Sequence, residues 1–165
     1  MRLLPLAAAA ALALPTSGAF AQNAPPLPRT ISVQAVLALP QAKPTEVIRY
    51  GDAPSQTIEL FLPNPRSDGL LPVAVIVHGG CWQAKVAGPA IMHPAATALA
   101  ARGFAVWSIG YRRIDEEGGG YPGTYLDVAA AIDRLAAEAK DRGLDSRRIA
   151  FYGHSAGAHL ALWAA

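Results

Sequence analysis

The sequence has 165 residues, a length that suits at most one domain. Its 14 Lys and Arg residues nearly balance 12 Asp and Glu residues, and no basic patch is interleaved with aromatic residues, which argues against a nucleic-acid partner. Cys81 is the only cysteine and no paired Cys or His spacing is typical of zinc, so we expect neither an internal disulfide nor a metal or other cofactor.

The first 21 residues have the pattern of a secretory signal peptide. A short basic start precedes an almost unbroken apolar run over residues 3–14, and Ala-Phe-Ala at 19–21 supplies the small residues that signal peptidase recognises. The apolar run is shorter than the roughly 20 residues that a bilayer requires. We therefore expect cleavage after Ala21, export to the periplasm or the extracellular space, and no membrane span in the mature chain. A disordered, Ala-rich N-terminus is the alternative.

Proline and turn residues divide the next part of the chain. Residues 22–44 carry five prolines and are predicted to form a linker or an extended arm. Two short runs rich in β-branched residues follow at 45–50 and 57–62, and Gly-Asp-Ala-Pro lies between them at 51–54. These two runs are expected to pair as antiparallel strands.

Apolar strands and helices alternate through the rest of the chain. Residues 72–77, PVAVIV, are continuously apolar, as in a strand that is buried on both faces. The further elements predicted are a helix at 94–102, a strand at 104–109, a helix at 124–142, a buried strand at 148–152 and the start of a helix at 156–165. This order predicts an α/β fold with a mostly parallel sheet, helices on both faces and the two leading strands as an antiparallel edge.

A G-x-S-x-G motif, Gly153-His154-Ser155-Ala156-Gly157, lies between the last predicted strand and the last predicted helix. This strand-turn-helix context is typical of a nucleophile elbow. The turn is so tight that side chains two residues before and after Ser155 would collide, and Gly153 and Gly157 remove them. The Ala156 amide, at the helix start, would point toward a bound carbonyl. The alternative is a glycine-rich helix entry with an incidental serine.

A second motif, His78-Gly79-Gly80-Cys81-Trp82, directly follows the PVAVIV strand. Its glycines allow close approach to a substrate, and backbone amides aimed at a developing oxyanion stabilise acyl transfer. We expect His78 to hold the turn by hydrogen bonds, Cys81 to act through its amide rather than its thiol, and Trp82 to lie in the core or in a pocket wall. The alternative is an ordinary strand-to-helix turn.

Several polar residues between the two motifs are open to more than one interpretation. Asp115 and its two acidic neighbours are expected to form a solvated loop, and Asp127 is expected to have a structural role near a helix start. Arg112 and Arg113 would either anchor their loop or contact an acidic substrate.

Four segments together resemble an α/β-hydrolase, in the esterase and lipase branch that includes arylformamidase-like and feruloyl or acetyl-xylan esterase-like members. These segments are H-G-G-C-W, Tyr111-Arg112-Arg113, YPGTYLDVAAAIDRL and GHSAGAHLALW, and the resemblance spans about residues 45–165. It implies an oxyanion hole formed by the amides of Gly80, Cys81 and Ala156. It also implies a triad in the chain order Ser, Asp or Glu, His, with Ser155 as the nucleophile.

The sequence departs from that pattern after Ser155, where it contains no Asp or Glu and only one His, His159, within the same predicted helix. The acid and the base of the triad are therefore expected to be missing. The last helix has no capping residue. Residues 45–165 are interpreted as the N-terminal portion of an α/β-hydrolase domain that is truncated after the elbow.

The sequence favours a serine hydrolase that acts on a carboxylic ester. Export favours a small-molecule or carbohydrate-linked ester as the substrate. One alternative is an aryl-formamide hydrolase, and another is a catalytically inactive fragment or a non-catalytic binding remnant. Nothing in the sequence indicates an oligomeric state.

Overall fold

The computed structural model describes residues 30–165, so the predicted signal peptide and the first part of the predicted arm lie outside the described residues. Contacts divide the chain after Ile31, and the elements described below lie in the unit Ser32–Ala165. Strands are β1 Glu46–Arg49, β2 Thr57–Phe61, β3 Leu71–Val77, β4 Ala105–Ile109 and β5 Leu144–Gly153; α-helices are α1 Val33–Leu37, α2 His93–Ala100, α3 Gly123–Glu138 and α4 Ala156–Ala164. A 3-10 helix, Pro89–Met92, leads directly into α2. Within the described residues no helix is both long and apolar enough to cross a membrane.

The strands form one mixed sheet in the order β1-β2-β4-β3-β5. β1 pairs with β2 and β2 with β4 in antiparallel orientation, whereas β3 pairs in parallel with both β4 and β5. The prediction of a mostly parallel α/β sheet with an antiparallel leading pair is therefore confirmed. Because β3, β4 and β5 are parallel, their carboxyl ends meet at one edge of the sheet.

The two faces of the central strands pack against different helices. Val73, Val75 and Val77 of β3 belong to a buried cluster that includes Val128 of α3 and Leu160 of α4. The alternate residues of β3 pack on the opposite face, in a second cluster with Met92 and Ala96. Side chains alternate between the faces of a strand, so a strand covered on both faces must be apolar at every position. Burying each such aliphatic side chain contributes about 1.5–3 kcal/mol.

Helix α3 packs by one apolar stripe. Val128, Ala131 and Leu135 are buried, at the three- and four-residue spacing of one helix face. The indole Nε1 of Trp107 on β4 donates a hydrogen bond of 2.9 Å to the carbonyl of Ala131, which satisfies the polar atom of a fully buried aromatic residue. The helix ends at Glu138, four residues before the predicted end at 142.

The last strand differs from its prediction in length and burial. It was expected at 148–152 as a buried strand, but β5 begins at Leu144 and runs to Gly153, and Leu144 is its one fully buried residue. Apolar composition alone predicted burial. Within residues 30–165, however, no strand pairs with the outer edge of β5, so its side chains remain largely accessible.

A short helix lies within the predicted proline-rich arm. Ser32 caps α1, its Oγ accepting a hydrogen bond of 3.1 Å from the amide of Ala35. Helix α1 contains no buried residue. The arm is therefore locally helical over five residues rather than extended throughout.

Candidate active site

Ser155 occupies the turn between β5 and α4. Its backbone angles, φ 52° and ψ −120°, lie in a region that residues with a Cβ rarely adopt. A conformation of this kind costs about 1–3 kcal/mol and persists only where the surrounding structure holds it. The Ser155 side chain is exposed at the carboxyl edge of the sheet, where a substrate could reach its hydroxyl.

Steric limits explain both glycines of the elbow. A Cβ added at Gly153 would lie 2.4 Å from the Cα of Ala158, and one added at Gly157 would lie 2.1 Å from the carbonyl oxygen of Val77. Both neighbours are backbone atoms, so neither clash can be relieved by a side-chain rotation. The elbow thus packs directly onto the end of β3, and the expected collision of larger side chains is confirmed.

The loop after β3 lies against this elbow. A Cβ added at Gly79 would be 2.7 Å from the carbonyl oxygen of His154 and 3.2 Å from the Cβ of Ser155. The amide of His154 donates to the carbonyl of Val77 at 3.3 Å. The fold therefore brings the two predicted motifs together around Ser155.

The loop of residues 78–88, called the oxyanion loop after the role predicted for its amides, has an unusual backbone. Gly80 has φ +121°, and two residues that carry side chains, Cys81 and Trp82, have φ of 53° and 55°. The amide of Gln83 closes a turn by donating to the carbonyl of Gly80 at 2.9 Å. Positive φ is costly for a residue as bulky as Trp, so contacts elsewhere must hold the loop in this shape.

The predicted oxyanion donors lie in the two segments that the fold brings together. Among the turn, loop and cap hydrogen bonds between backbone groups of residues 30–165, none is donated by the amide of Gly80, Cys81 or Ala156. The Ala156 amide also stands at the first turn of α4, where the helix dipole favours negative charge. These are the donors that the sequence analysis assigned to the oxyanion hole.

His78 is fully buried and holds the turn after β3, as predicted, by stacking and hydrogen bonds. Its ring stacks on Tyr111 with centroids 4.4 Å apart, and its Nδ1 lies 2.6 Å from the carbonyl oxygen of Gly79, to which the neutral ring donates. The Tyr111 hydroxyl donates to the carbonyl of His78 at 2.7 Å. Burial lowers the pKa of His78 to about 4, which keeps the imidazole neutral at pH 7.

Two of the other histidines have partners away from Ser155. His159 packs edge-to-face against Trp82 and Tyr125, with centroids 5.9 Å apart in each pair. His93 Nε2 lies 2.8 Å from the Glu59 carboxylate, a contact between α2 and β2 that sequence reasoning missed. Across residues 30–165, no imidazole or carboxylate is hydrogen-bonded to the Ser155 hydroxyl.

Aromatic rings form a wall beside the elbow. The ring centroid of Tyr125 lies 5.1 Å from that of Trp163 and 5.7 Å from that of Tyr121, and the ring also packs against His159. Trp82 closes the wall on the side of the oxyanion loop and packs partly against the core. The predicted core position of Trp82 is therefore realised in part, and its place in a pocket wall stays a prediction.

Asp127 is the centre of a buried polar cluster. Its carboxylate accepts hydrogen bonds from the backbone amide, Nε and Nη2 of Arg112 at 2.9, 2.9 and 2.7 Å, and from Gln56 at 2.7 Å. The structural role expected for Asp127 is confirmed. Arg112 anchors its own loop, and its guanidinium is committed to Asp127.

The fold, a mixed α/β sheet with an elbow serine at the carboxyl edge, is that of the α/β-hydrolases. Residues 58–165 match the family model described as BD-FAE. The chain belongs to the BD-FAE family, and the resemblance predicted from the motifs is confirmed.

Two curated relatives carry esterase names. The isoprenylcysteine α-carbonyl methylesterase of Arabidopsis thaliana is 34% identical over 116 residues, which covers 69% of this chain and 26% of that protein. Esterase LipC of Mycobacterium tuberculosis is 33% identical over 116 residues, which covers 68% of this chain and 27% of that protein. The chain thus spans about a quarter of the length of the curated relatives it matches.

Solved esterase structures share the fold. Esterase B from Lactobacillus rhamnosis superposes with a TM-score of 0.68 at 28% identity, covering 81% of this chain and 44% of that one. A bacterial heroin esterase gives a TM-score of 0.58 at 33% identity, covering 64% of this chain and 32% of that one. An esterase from Thermogutta terrifontis gives 0.63 at 26% identity, covering 70% and 42% of the two chains.

Proposed function

We propose that this chain carries the nucleophile and the oxyanion hole of a serine esterase. The observation that carries the proposal is the strained backbone of Ser155, against which Gly79 of the oxyanion loop packs, with the amides of Gly80, Cys81 and Ala156 as candidate donors. A strained residue that the surrounding packing holds in place is typical of an active site. The esterase names of the relatives and structural neighbours support the same chemistry.

In this mechanism, the Ser155 oxygen forms a bond to the acyl carbon of the ester while its proton passes to a base. The carbonyl oxygen becomes an oxyanion and accepts hydrogen bonds from the amides of Gly80, Cys81 and Ala156. Losing one such donor costs about 3 kcal/mol of transition-state stabilisation. The bond to the alcohol then breaks, the alcohol takes the proton, and water releases the acid from the acyl-serine.

The base and the acid of the triad are proposed to be absent from these 165 residues. The support is that Ser155 has no imidazole or carboxylate partner within residues 30–165 and that His159 is engaged with aromatic rings. We therefore expect the chain to bind and slowly acylate but not to turn over efficiently.

The substrate is proposed to be a small-molecule or carbohydrate-linked carboxylic ester. The signal-peptide pattern of residues 1–21 supports an exported enzyme and hence an ester outside the cytoplasm. The exposed aromatic wall beside Ser155 would contact the acyl or alcohol group.

The test uses a fluorophosphonate probe with peptide mapping, together with hydrolysis of 4-nitrophenyl acetate. Slow labelling at Ser155 is expected in the parent chain and in Ser146→Ala, a matched exposed serine, but not in Ser155→Ala. Ester turnover is expected near the background rate. Labelling that survives in Ser155→Ala would contradict the nucleophile, and rapid Ser155-dependent turnover would contradict the absence of a base.

A further inference from the structure

We propose that the loop after β4 positions the oxyanion loop, with Asp115 as its principal positioning residue. The catalytic meaning of this proposal rests on the proposed esterase function, although the contacts themselves do not. Three consecutive residues, Arg113, Ile114 and Asp115, each hold a different point of the oxyanion loop.

The Asp115 carboxylate holds the far side of the oxyanion loop. Its Oδ1 accepts a hydrogen bond of 2.6 Å from the amide of Ala84, and its Oδ2 accepts one of 3.4 Å from the amide of Lys85. The Ala84 amide is also the largest cause that lowers the pKa of Asp115, so the group is charged at neutral pH. A charged acceptor of this kind restrains two successive residues just after the strained turn.

Arg113 holds the end of the loop that touches Gly80. Its Nη1 donates to the carbonyl of Ala87 at 2.8 Å, while Glu116 fixes its Nε at 2.6 Å. Ala87 in turn packs closely against Gly80: a Cβ added at Gly80 would lie 2.9 Å from the Cβ of Ala87. Arg113 therefore positions Gly80, a predicted oxyanion donor, indirectly through Ala87.

Ile114 fixes the middle of the loop. Its amide donates to the carbonyl of Trp82 at 2.8 Å. Trp82 and Cys81 are the two residues whose positive φ requires support from outside the loop. The three contacts together supply that support and, in this proposal, orient the amides of Gly80 and Cys81.

The first readout is hydrogen exchange of the segment 79–88, measured by mass spectrometry on the full chain. Asp115→Ala should exchange there about three- to tenfold faster, since it removes a charged hydrogen-bond acceptor. Asp115→Asn keeps an acceptor for Ala84 and should give an intermediate rate. Glu117→Ala, an exposed acidic neighbour in the same loop, should exchange like the parent chain.

The second readout is the rate of phosphonylation at Ser155, because that reaction also builds charge in the oxyanion hole. Asp115→Ala should be about three- to tenfold slower, Asp115→Asn should recover part of the rate, and Glu117→Ala should equal the parent chain. Faster exchange with unchanged phosphonylation would overturn the positioning role, as would unchanged exchange or an equal effect in Glu117→Ala. If the parent chain is not labelled at Ser155 while its exchange pattern follows the prediction, the esterase function fails and the loop contacts stand.

Discussion

At the scale of single residues, the site depends on glycines at positions where any side chain would collide with backbone atoms. Gly157 is the more crowded of the two elbow glycines, because a Cβ there would lie 2.1 Å from the carbonyl oxygen of Val77, a backbone atom at the end of β3. Gly103 provides a contrast, since it has φ +89° but no atom within 4 Å of an added Cβ. The two positions separate the effect of steric collision from the effect of backbone strain.

Gly157→Ala should therefore destabilise the fold by about 3 kcal/mol or more. The added methyl group would collide with rigid backbone, and relieving that collision would also distort the elbow. Gly103→Ala should cost only about 1–2 kcal/mol, the penalty for positive φ in a residue with a Cβ. Urea unfolding, monitored by tryptophan fluorescence, measures the free energy of unfolding of both variants. Equal effects at the two positions would contradict the clash with Val77.

His78 makes the stability of the fold depend on pH. Its folded pKa of about 4 lies below the unfolded value of 6.5, so the unfolded chain binds more protons between these limits. The free energy of unfolding should thus be highest above pH 6.5 and fall by about 3 kcal/mol as pH drops to 4. His78→Asn, which keeps a donor near the Nδ1 position, should remove most of this slope.

Urea unfolding at several pH values between 4 and 7 checks the contribution of His78. His154→Asn, an exposed histidine from the elbow, is the matched control and should keep the slope of the parent chain. A parent chain whose stability is flat over this interval would contradict a neutral, buried His78.

At the scale of elements, Asp127 joins α3 to two other parts of the chain. It accepts three hydrogen bonds from Arg112, in the loop after β4, and one from Gln56, just before β2. The Arg112 side chain is 23% exposed, so water would partly compensate for a lost partner. Removing Asp127 should therefore cost less than breaking a fully buried ion pair would.

Asp127→Ala should lower the free energy of unfolding by about 2–4 kcal/mol, because it leaves buried donors without an acceptor. Asp133→Ala, an exposed aspartate on the same helix, should change it by less than about 0.5 kcal/mol. Thermal and urea unfolding of both variants test the difference. Similar stabilities for the two variants would show that the cluster contributes little.

The order of the elements could be predicted because each depends on local pattern. β3 is apolar throughout and β4 is apolar except at Ser108, so burial on both faces followed from sequence alone. The second half of β5, residues 149–152, is also apolar, yet its exposure depends on which elements lie beside it, and composition does not contain that information.

The site could be predicted only in part for a similar reason. The strand-turn-helix context of the motif indicated the role of its glycines, although only Gly153 meets neighbours close in sequence, whereas Gly157 faces Val77 of β3. Asp115 meets Ala84 across 31 residues and His93 meets Glu59 across 34, and neither pair has a local pattern. The acidic run at 115–117 predicts only a solvated loop, because an exposed carboxylate is usually hydrated.

At the scale of the whole molecule, the β5 edge of the sheet lies next to apolar surface within residues 30–165. β5 pairs with β3 on one side only, and a groove of about 420 Å³ beside it is lined by Ala74, Leu99, Phe104, Ala150, Phe151 and Tyr152. Leu162 and Trp163 of α4 are also exposed, by 80% and 51%. An unpaired strand next to apolar surface favours pairing with a second chain.

The 165-residue chain should therefore self-associate as its concentration rises. Light scattering coupled to size-exclusion chromatography over a dilution series measures this. Ala150→Lys places a charge on the exposed strand and should raise the monomer fraction, since edge lysines oppose strand addition. Ala137→Lys, the same change on the exposed face of α3, should not. A chain that stays monomeric at every concentration, or equal effects of the two lysines, would show that this edge is not the surface that drives association.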